Sequence, residues 1–455
     1  MRKAFLVNLA IILIFASVCN AEFQVNTHTT WDQKDAAVAM NAKGDFVVVW
    51  NSYRQRQDSD SGGIFGQRFN ATGGPLASEF QINTTTSGNQ ASPTVAMDAA
   101  GNFIVVWQGP GIGDEDIFAQ RFDPNGQFLG VEFQVNSYAE SQQLYAGVAM
   151  NAGGQFVVVW ESQNIPEDPN KTSICGQLYD SSGSTIGPEF TINNQPATCR
   201  YSAVAMDSDG NFAVVWMKEA SKNSIVARLY NADCSAATEP FAVNTISFNS
   251  ITQPSIAMAG SGHFVVVWDG DPNRAGDDDI HARLYQPDGT LIAEQFVVNT
   301  TRTGAQQNPR VAMNNAGEFV IVWNSDTGLG DTERDIFGQR FDSSGSPIGD
   351  EFQINTFAAG DQRNAAVAMD ETGQFVTVWQ SDGQDRSGFG IFGEIGPVIG
   401  SADCNGDGIV NFLDYCTLAA EWQKNQNPLA ADLIDDNRID EQDLAAFCQQ
   451  WLSLE

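Results

Sequence analysis

Short apolar runs alternate with polar turn residues along the chain, and the same order of runs returns seven times. Each unit holds a run like VAM, then one like FVVVW, one like IFGQRF and one like EFQINT. These runs are rich in β-branched and aromatic residues, which favours strands, and Asn/Asp-x-x-Gly between the first two favours a tight hairpin. Because FVVVW is apolar on both faces, we expect it in a sheet that is covered on both sides. We name the four predicted strands A, B, C and D in this order.

The repeat predicts the architecture. A methionine ends each A strand, and a tryptophan ends each B strand ten residues later, at Met40/Trp50, Met97/Trp107, Met150/Trp160, Met206/Trp216, Met258/Trp268, Met313/Trp323 and Met369/Trp379. We interpret these two rows as packing between neighbouring units. Four antiparallel strands that return every 51–57 residues predict the blades of a mainly β, seven-bladed β-propeller. A linear array of separate sandwiches would need more strands per unit.

The order of the strands predicts how the ring closes. The first unit begins with a D strand, EFQVNT at 22–27, whereas the last ends with a C strand, IFGEI at 391–395, and has no D strand after it. We therefore predict that 22–27 pairs with 391–395. This pairing closes a ring of seven blades and leaves no open sheet edge.

Length variation is confined to one connection. The spacing from the B tryptophan to the C isoleucine varies from 9 to 14 residues, whereas the A–B spacing is constant. In a propeller the B–C and D–A connections share one face, which we name the loop face, and the A–B and C–D turns share the other, the turn face. Loops on a rigid scaffold are where binding usually occurs. We expect the loop face to bind a ligand such as a polysaccharide or another surface polymer.

Acidic residues are the candidates for that binding. The B–C connections contribute Asp114, Asp116, Asp277, Asp278, Asp279, Asp331 and Asp335. Two other interpretations stay open, namely that these carboxylates are simply solvated or that they hold Ca²⁺.

Signals of catalysis are weak. Histidine occurs only at positions 28, 263 and 281, and no motif places one of them in a Ser-His-Asp arrangement. Paired carboxylates of the glycosidase type stay open, because a sequence does not give their separation. We therefore favour a non-catalytic binding propeller. The alternatives are a polysaccharide-active hydrolase or lyase with its site on the loop face, and a protein-interaction scaffold.

The net charge of the protein and its first residues indicate which partners it can have and where it acts. A formal net charge of −33 and a pI near 4.1 argue against nucleic acid and anionic membranes as partners. Residues 1–21 combine Arg2 and Lys3, a short apolar run and Ala21 before a polar chain, which predicts a signal peptide and a secreted, monomeric protein without a transmembrane segment. Lipid attachment at Cys19 is the alternative. Six cysteines follow Ala21, and their disulfide connectivity stays open.

The pattern changes near residue 397, where a short linker (397–402) precedes two loop–helix repeats. Oxygen-bearing side chains at calcium-loop spacing, with Ile409 offering its carbonyl, stand at Asp403, Asn405, Asp407, Asn411 and Asp414. The second copy, with Arg438 offering its carbonyl, has Asp432, Asp436, Asp440 and Asp443. We expect the second Ca²⁺ site to be weaker, because Ile434 has no side-chain oxygen where the first loop has Asn405.

These two loop–helix repeats, with Asp at the last ligand position and no helix before the loop, resemble a type I dockerin. The resemblance implies a small calcium-folded, exported α-helical module at 403–455, which docks onto a cohesin-like partner in polysaccharide degradation. It implies that the loop residues named above are the calcium ligands. The domains expected are a signal peptide at 1–21, the propeller at 22–396, the linker at 397–402 and the dockerin-like module at 403–455.

Overall fold

The computed structural model of the protein describes residues 22–55, 61–111, 114–166, 171–193, 197–246, 248, 250–251, 253–271, 278–326 and 333–396. The range Glu22–Ile395 forms one compact unit. It contains seven separate antiparallel sheets, and each sheet is a blade whose strands run in the order A, B, C, D. Each A strand contacts the A strand of the next blade, and the last A strand contacts the first, so that the blades form a closed ring. The seven-bladed propeller predicted from the repeats is confirmed. The predicted calcium loops lie outside the described residues.

The strands of the blades follow the repeat, and in blade 5 the A strand is divided in two. The A strands are β2 Gln33–Met40, β6 Ala91–Met97, β10 Gln143–Met150, β14 Cys199–Met206, β18 Ser250–Ile251 with β19 Ser255–Met258, β23 Gln306–Met313 and β27 Gln362–Met369. The B strands are β3 Phe46–Tyr53, β7 Phe103–Pro110, β11 Phe156–Gln163, β15 Phe212–Lys218, β20 Phe264–Asp271, β24 Phe319–Asp326 and β28 Phe375–Asp382. The C strands are β4 Gly62–Phe69, β8 Glu115–Phe122, β12 Thr172–Tyr179, β16 Ser224–Tyr230, β21 Asp279–Tyr285, β25 Arg334–Phe341 and β29 Phe389–Gly396. The D strands are β5 Phe80–Gln81, β9 Phe133–Gln134, β13 Thr185–Thr191, β17 Phe241–Ala242, β22 Leu291–Val297, β26 Pro347–Gln353 and, for blade 7, β1 Phe23–Gln24.

The B strands form the core between blades. Val47 and Val48, on opposite faces of β3, are both fully buried, and each packs in a different interblade cluster. The seven tryptophans at the ends of the B strands are 0–2 % exposed, as expected from their interpretation as interblade packing. At about 25 cal/mol per Å² of apolar surface, this two-sided burial is the main stabilising contribution.

The seam of the ring is closed as predicted. Phe23 lies opposite Gly393 and Gln24 opposite Phe392 in an antiparallel pair between β1 and β29. Beyond the strand, the Val25 N–H donates to the Ile391 carbonyl at 2.8 Å. The hexapeptide at 22–27 therefore supplies the fourth strand of the blade whose other three strands end the propeller.

The asparagine of the hexapeptide extends the D strand with its side chain. At the seam, Asn26 Oδ1 accepts the Ile391 N–H at 2.7 Å. The same bond, at 2.6–2.8 Å, joins every other D segment to its C strand, from Ile64 to Asn83, Ile117 to Asn136, Ile174 to Asn193, Ile225 to Asn244, Ile280 to Asn299 and Ile336 to Asn355. The side chain thus satisfies a buried backbone donor beyond the point where the D strand ends.

The first and last residues of the hexapeptide connect neighbouring blades. Thr27 donates from its N–H and its hydroxyl to Glu79 Oε2 of blade 1, at 2.7 and 3.0 Å. Corresponding pairs are Thr84 with Glu132, Ser137 with Glu189, Thr245 with Gln295 and Thr300 with Glu351. Across the seam, the Thr356 N–H donates to Glu22. In blade 4, Pro240 stands where the other blades carry the glutamate or glutamine acceptor, and a proline side chain cannot accept this bond.

Deleting residues 22–27 should destabilise the whole ring. The deletion removes the D strand of blade 7 and leaves the edge of β29 open, so we expect cooperative thermal unfolding at a temperature at least about 10 °C lower. Differential scanning calorimetry of residues 22–455 and of residues 28–455 measures the change. An unchanged unfolding temperature would contradict the assignment of this segment to ring closure.

Asn26→Ala and Asn83→Ala form a matched pair for the same question. Each leaves one buried backbone N–H without its acceptor, which costs on the order of 1–3 kcal/mol. If the seam is energetically an ordinary blade edge, urea unfolding should give both variants a similar loss of stability. A much larger loss for Asn26→Ala would show that the seam is the weakest junction of the ring.

Candidate ligand-binding site on the loop face

Near the loop face, six of the seven A strands carry a β-bulge against their B strands. In each bulge a non-glycine residue adopts a positive φ of 51–55°, at Asp35, Ser92, Tyr145, Tyr201, Asn308 and Asn364. Gln253 stands at the matching place in blade 5, between the two parts of the divided strand. We name these seven residues the bulge ring. Positive φ costs a tyrosine more than an asparagine, and such strain is concentrated at functional sites.

The preceding blade holds five of the six bulges in place. The residue after the B tryptophan accepts the bulge N–H, as where Gln108 Oε1 accepts the Tyr145 N–H at 3.1 Å. The other such bonds join Asp35 to Gln380, Tyr201 to Glu161, Asn308 to Asp269 and Asn364 to Asn324, at 2.6–3.4 Å. The bulge therefore depends on a polar side chain from a neighbouring sheet.

Blades 3 and 4 carry the aromatic part of the bulge ring. The rings of Tyr145 and Tyr201 lie 6.2 Å apart at an angle of 56°, and Tyr145 is 44 % exposed. Beside them, Arg200 forms an ion pair with Glu219 at 2.8 Å. This pair borders a polar cleft of about 230 Å³ whose other lining residues are Gln163, Asn164, Lys171, Thr172 and Thr198. An exposed aromatic pair next to hydrogen-bonding groups suits a ligand with both apolar faces and hydroxyls.

Glu161 is the most perturbed acid of this region. Its side chain is 1 % exposed, and burial raises its pKa to about 7, although the N–H of Tyr201 and the charge of Arg200 act in the opposite direction. Gln108 and Gln380 perform the same backbone contact in other blades. Glu161 is therefore a positioning residue that holds the Tyr201 bulge.

A second exposed aromatic group lies on the loop face near the seam. Trp31 is 53 % exposed and belongs to the D–A connection that leads into blade 1. The Arg54 guanidinium lies 4.6 Å from the centre of its ring. Because this cation–π contact holds the indole while leaving it accessible, Trp31 is a further candidate for contact with a ligand.

Several of the predicted acidic residues are engaged in the fold. Asp116, Asp279 and Asp335 each accept a bond of 2.7 Å from the side-chain amide of the hexapeptide asparagine, at Asn136, Asn299 and Asn355 respectively. Asp278 accepts from Gln307 at 2.9 Å, and the exposed Asp114 accepts the N–H of Glu115 at 3.1 Å. Asp277 and Asp331 lie outside the described residues. Within the described ranges, no group of three or more His, Cys, Asp or Glu side chains is arranged to hold a metal ion. That these acids bind a ligand stays a prediction.

The turn-face end of the central channel has a different lining. The seven methionines at the ends of the A strands surround a space of about 240 Å³ together with turn residues such as Asn41, Asp98 and Asp370. Six of the methionines are half-buried and Met206 is buried, and all seven also pack in the interblade clusters. The interblade interpretation of the methionine row is therefore incomplete, because these side chains also line the channel.

Sequence reasoning missed the bulge ring. A signal exists five residues before each methionine, where the repeated units differ from one another, with Asp, Ser, Tyr, Tyr, Gln, Asn and Asn. Two positions earlier in the strand, five of the seven units share glutamine. A varied position next to a repeated one, on the face opposite the tight turns, marks where the blades carry different side chains on the same backbone scaffold.

The comparisons with known proteins agree with this architecture. Residues 401–450 match the family model described as Dockerin type I domain. No curated protein sequence matches the chain. Among solved structures, a protein of unknown function from Dyadobacter fermentans has a TM-score of 0.50 at 11% identity, with 84% of this chain and 98% of that chain covered. An ulvan lyase of polysaccharide lyase family PL25 gives 0.50 at 9% identity, with 87% and 98% covered. At such identities the likeness concerns the fold alone.

The chain is thus a seven-bladed β-propeller followed by a docking domain of a class that binds calcium. More specifically, it carries a C-terminal type I dockerin domain at residues 401–450. A dockerin of this type implies calcium binding, cohesin binding and extracellular attachment of the cellulosome kind. In the part of the chain that the structure describes, no helix is long and apolar enough to cross a membrane.

Glu161→Gln should remove a pH dependence from folding. The folded-state pKa of Glu161 is about 7, above the ordinary value of 4.5, so its contribution to stability is present below pH 4.5 and is lost as pH rises through 7. Relative to the wild type, Glu161→Gln should gain on the order of 1–3 kcal/mol between pH 5 and pH 8, measured by urea unfolding. The reciprocal variant Gln108→Glu should introduce the same dependence in blade 2. A constant difference between wild type and Glu161→Gln across this range would contradict the assignment.

Proposed function

We propose that the protein is exported, binds a polysaccharide across the loop face of its propeller, and is attached to a cohesin by its dockerin. The proposed domains are a leader at 1–21, the propeller at 22–396, a linker at 397–402 and the dockerin module at 403–455. The observation that carries the binding role is the pair Tyr145 and Tyr201, presented on strained bulges at the loop face and partly exposed. Sugar rings have apolar faces that stack on such aromatic groups, whereas their hydroxyls need polar partners.

The neighbouring groups suit an extended chain of sugars. Tyr145 and Tyr201 come from blades 3 and 4, and the polar cleft beside them is lined by both blades. Trp31, near the seam, offers a second platform on the same face. Separate aromatic groups on one face favour a polymer, which can contact several of them at once, over a small solute.

The geometry favours binding over catalysis at this site. Glu161, the acid with a pKa near neutrality, is buried and contacts the backbone of Tyr201. His281 is buried between Phe248 and Trp268, and burial lowers its pKa. His263 bonds to Ser261 in an exposed turn of blade 5. A polysaccharide-active hydrolase or lyase is the alternative that the experiment below separates from binding.

Tyr145→Asn and Tyr201→Asn should weaken polysaccharide binding. Asparagine occupies this position in blades 6 and 7 with the same positive φ, so the bulge should persist while the aromatic contact is lost. We expect about a tenfold weaker retention for each variant, measured by affinity electrophoresis in gels of xylan, arabinan, polygalacturonate or mixed-linkage β-glucan. The matched control is Phe128→Asn, which removes a 52 % exposed aromatic side chain from a C–D connection.

Equal retention of all variants, or no retention of the wild type in any gel, would contradict this role for the loop face. The same polymers, incubated with the protein and assayed for reducing ends and for unsaturated products at 235 nm, test the alternative. Product release that Tyr145→Asn abolishes would replace the binding role by an enzymatic one.

The dockerin should hold two calcium ions, the first more tightly. The oxygen ligands proposed for the first loop are Asp403, Asn405, Asp407, Asn411 and Asp414, with the Ile409 carbonyl. Those for the second are Asp432, Asp436, Asp440 and Asp443, with the Arg438 carbonyl. Carboxylate, amide and carbonyl oxygens are the donors that Ca²⁺ prefers, and the ion would supply folding energy to a module with a small core.

Calorimetric titration of the whole protein with Ca²⁺ should count two sites. Asp403→Ala with Asp407→Ala should abolish the tighter site, and Asp432→Ala with Asp436→Ala the weaker one. Asp114→Ala, in a propeller loop, is the control and should leave both sites unchanged. Absence of calcium uptake by the wild type would contradict the assignment, and loss of cohesin capture in EDTA would link the metal to docking.

A further inference from the structure

In blade 2, three side chains fill the space on the preceding-blade side of the B tryptophan. They are Gln90 immediately before the A strand, Phe118 in the C strand and Gln134 in the D strand. The glutamine also satisfies the indole, since Trp107 Nε1 donates to Gln90 Oε1 at 3.0 Å. The same bond joins Trp160 to Gln143 and Trp323 to Gln306.

Blade 4 has a smaller residue at each of these places. Cys199 replaces the glutamine, Val226 replaces the phenylalanine and Ala242 replaces the D-strand glutamine. Pro240 stands where other blades carry the glutamate or glutamine that accepts the interblade bond. The four changes remove volume and hydrogen-bonding groups from one side of one sheet.

Blades 3 and 5 show what happens when such a loss is compensated. Cys175 replaces the phenylalanine in blade 3, and Ile165 from its B–C connection is buried in the same cluster. Ile251 replaces the glutamine in blade 5, where Phe248 is fully buried against His281. No comparable side chain enters blade 4 from the parts of the chain that the structure describes.

A cleft of about 360 Å³ therefore remains between blades 3 and 4. Its walls include Trp216, Val226, Pro240 and Phe241, and its polar groups include Lys218 and Ser224. Trp216 is 2 % exposed, and its Nε1 has no hydrogen-bond partner among the described residues, as is also the case for Trp50, Trp268 and Trp379; of these four, Trp216 is the one that lines this cleft. A buried indole N–H without an acceptor costs free energy, which a ligand that accepts this hydrogen bond would recover.

We propose that this cleft in blade 4 is a binding site for a single neutral sugar residue, held by a hydrogen bond from Trp216 Nε1 and by packing on Val226 and Pro240. The volume lies in the range of small-molecule sites. The aliphatic walls suit the apolar face of a sugar ring, and Ser224 and Trp216 suit its hydroxyls. Lys218 and Glu239 contribute opposite charges to the lining, which favours an uncharged ligand. The site is separate from the Tyr145–Tyr201 surface and does not rest on the polysaccharide-binding proposal.

Saturation-transfer NMR on the full-length protein tests the site. The probes are D-glucose, D-galactose, D-mannose, D-xylose, L-arabinose and L-rhamnose, with D-glucuronate as the charged comparison. We expect saturation transfer to at least one neutral sugar and a weaker signal for glucuronate. Val226→Phe should abolish the signal by restoring the side chain that fills blades 1, 2, 6 and 7. Cys199→Gln should reduce it at least severalfold by filling the cleft with the larger side chain and by offering Trp216 the acceptor that Trp107, Trp160 and Trp323 have.

Two variants separate this site from the loop face. Tyr145→Asn should lose polysaccharide retention and keep the monosaccharide signal, whereas Val226→Phe should do the reverse. Thermal unfolding checks that both variants are folded, and Cys199→Gln serves if Val226→Phe is not. The proposal is overturned if no neutral sugar gives a signal, if glucuronate alone does, or if the signal is unchanged in both Val226→Phe and Cys199→Gln.

Discussion

The two-sided burial of the B strands is the constraint on which the ring depends. Val47 and Val48 face opposite neighbours and are both fully buried, so a blade at the end of an open row would expose one apolar face to water. Closing the row removes that cost, but it requires a strand from the opposite end of the chain. β1 supplies only two paired residues, and the backbone of Val25 and the side chain of Asn26 extend the contact along β29.

Much of this architecture could be predicted because its causes are local in the sequence. The apolar runs, the Asn/Asp-x-x-Gly turns and the order of the strands are all read within one repeat. The varied positions of the bulge ring can be found in the repeats, but their backbone conformation could not be predicted, because the Tyr145 N–H is held by Gln108, a side chain from another sheet. The same limit applies to Asp116, which looks like a solvated loop acid until Asn136, twenty residues away, is seen to donate to it. Repeats thus predict the scaffold, whereas contacts across sheets decide which variable residues are structural.

The variable residues fall into two groups with different physical consequences. Substitutions in the bulge ring change the surface of the loop face, and in five of the seven positions the preceding blade holds the backbone although the side chains differ. Substitutions beside a B tryptophan change interior volume, and a neighbour must fill the gap or a cleft results. Phe248 fills it in blade 5, whereas Cys199 and Val226 leave it open in blade 4. A repeat protein can therefore acquire an interior site when smaller side chains replace larger ones in one repeat, without a change of fold.

The bonds of the seam also occur inside the chain, and this makes the position of the chain ends nearly arbitrary. The link from Thr27 to Glu79 is matched by the one from Thr84 to Glu132, and the Asn26 bond by that of Asn83. A circularly permuted propeller, with Gly396 joined to Glu22 by a C–D turn and new ends opened in the turn at 124–126, would close with the same set of contacts. The junction between blades 3 and 4 is the exception, because the Pro240 side chain cannot accept the bond. Ends placed there would have to close the ring without this interblade link.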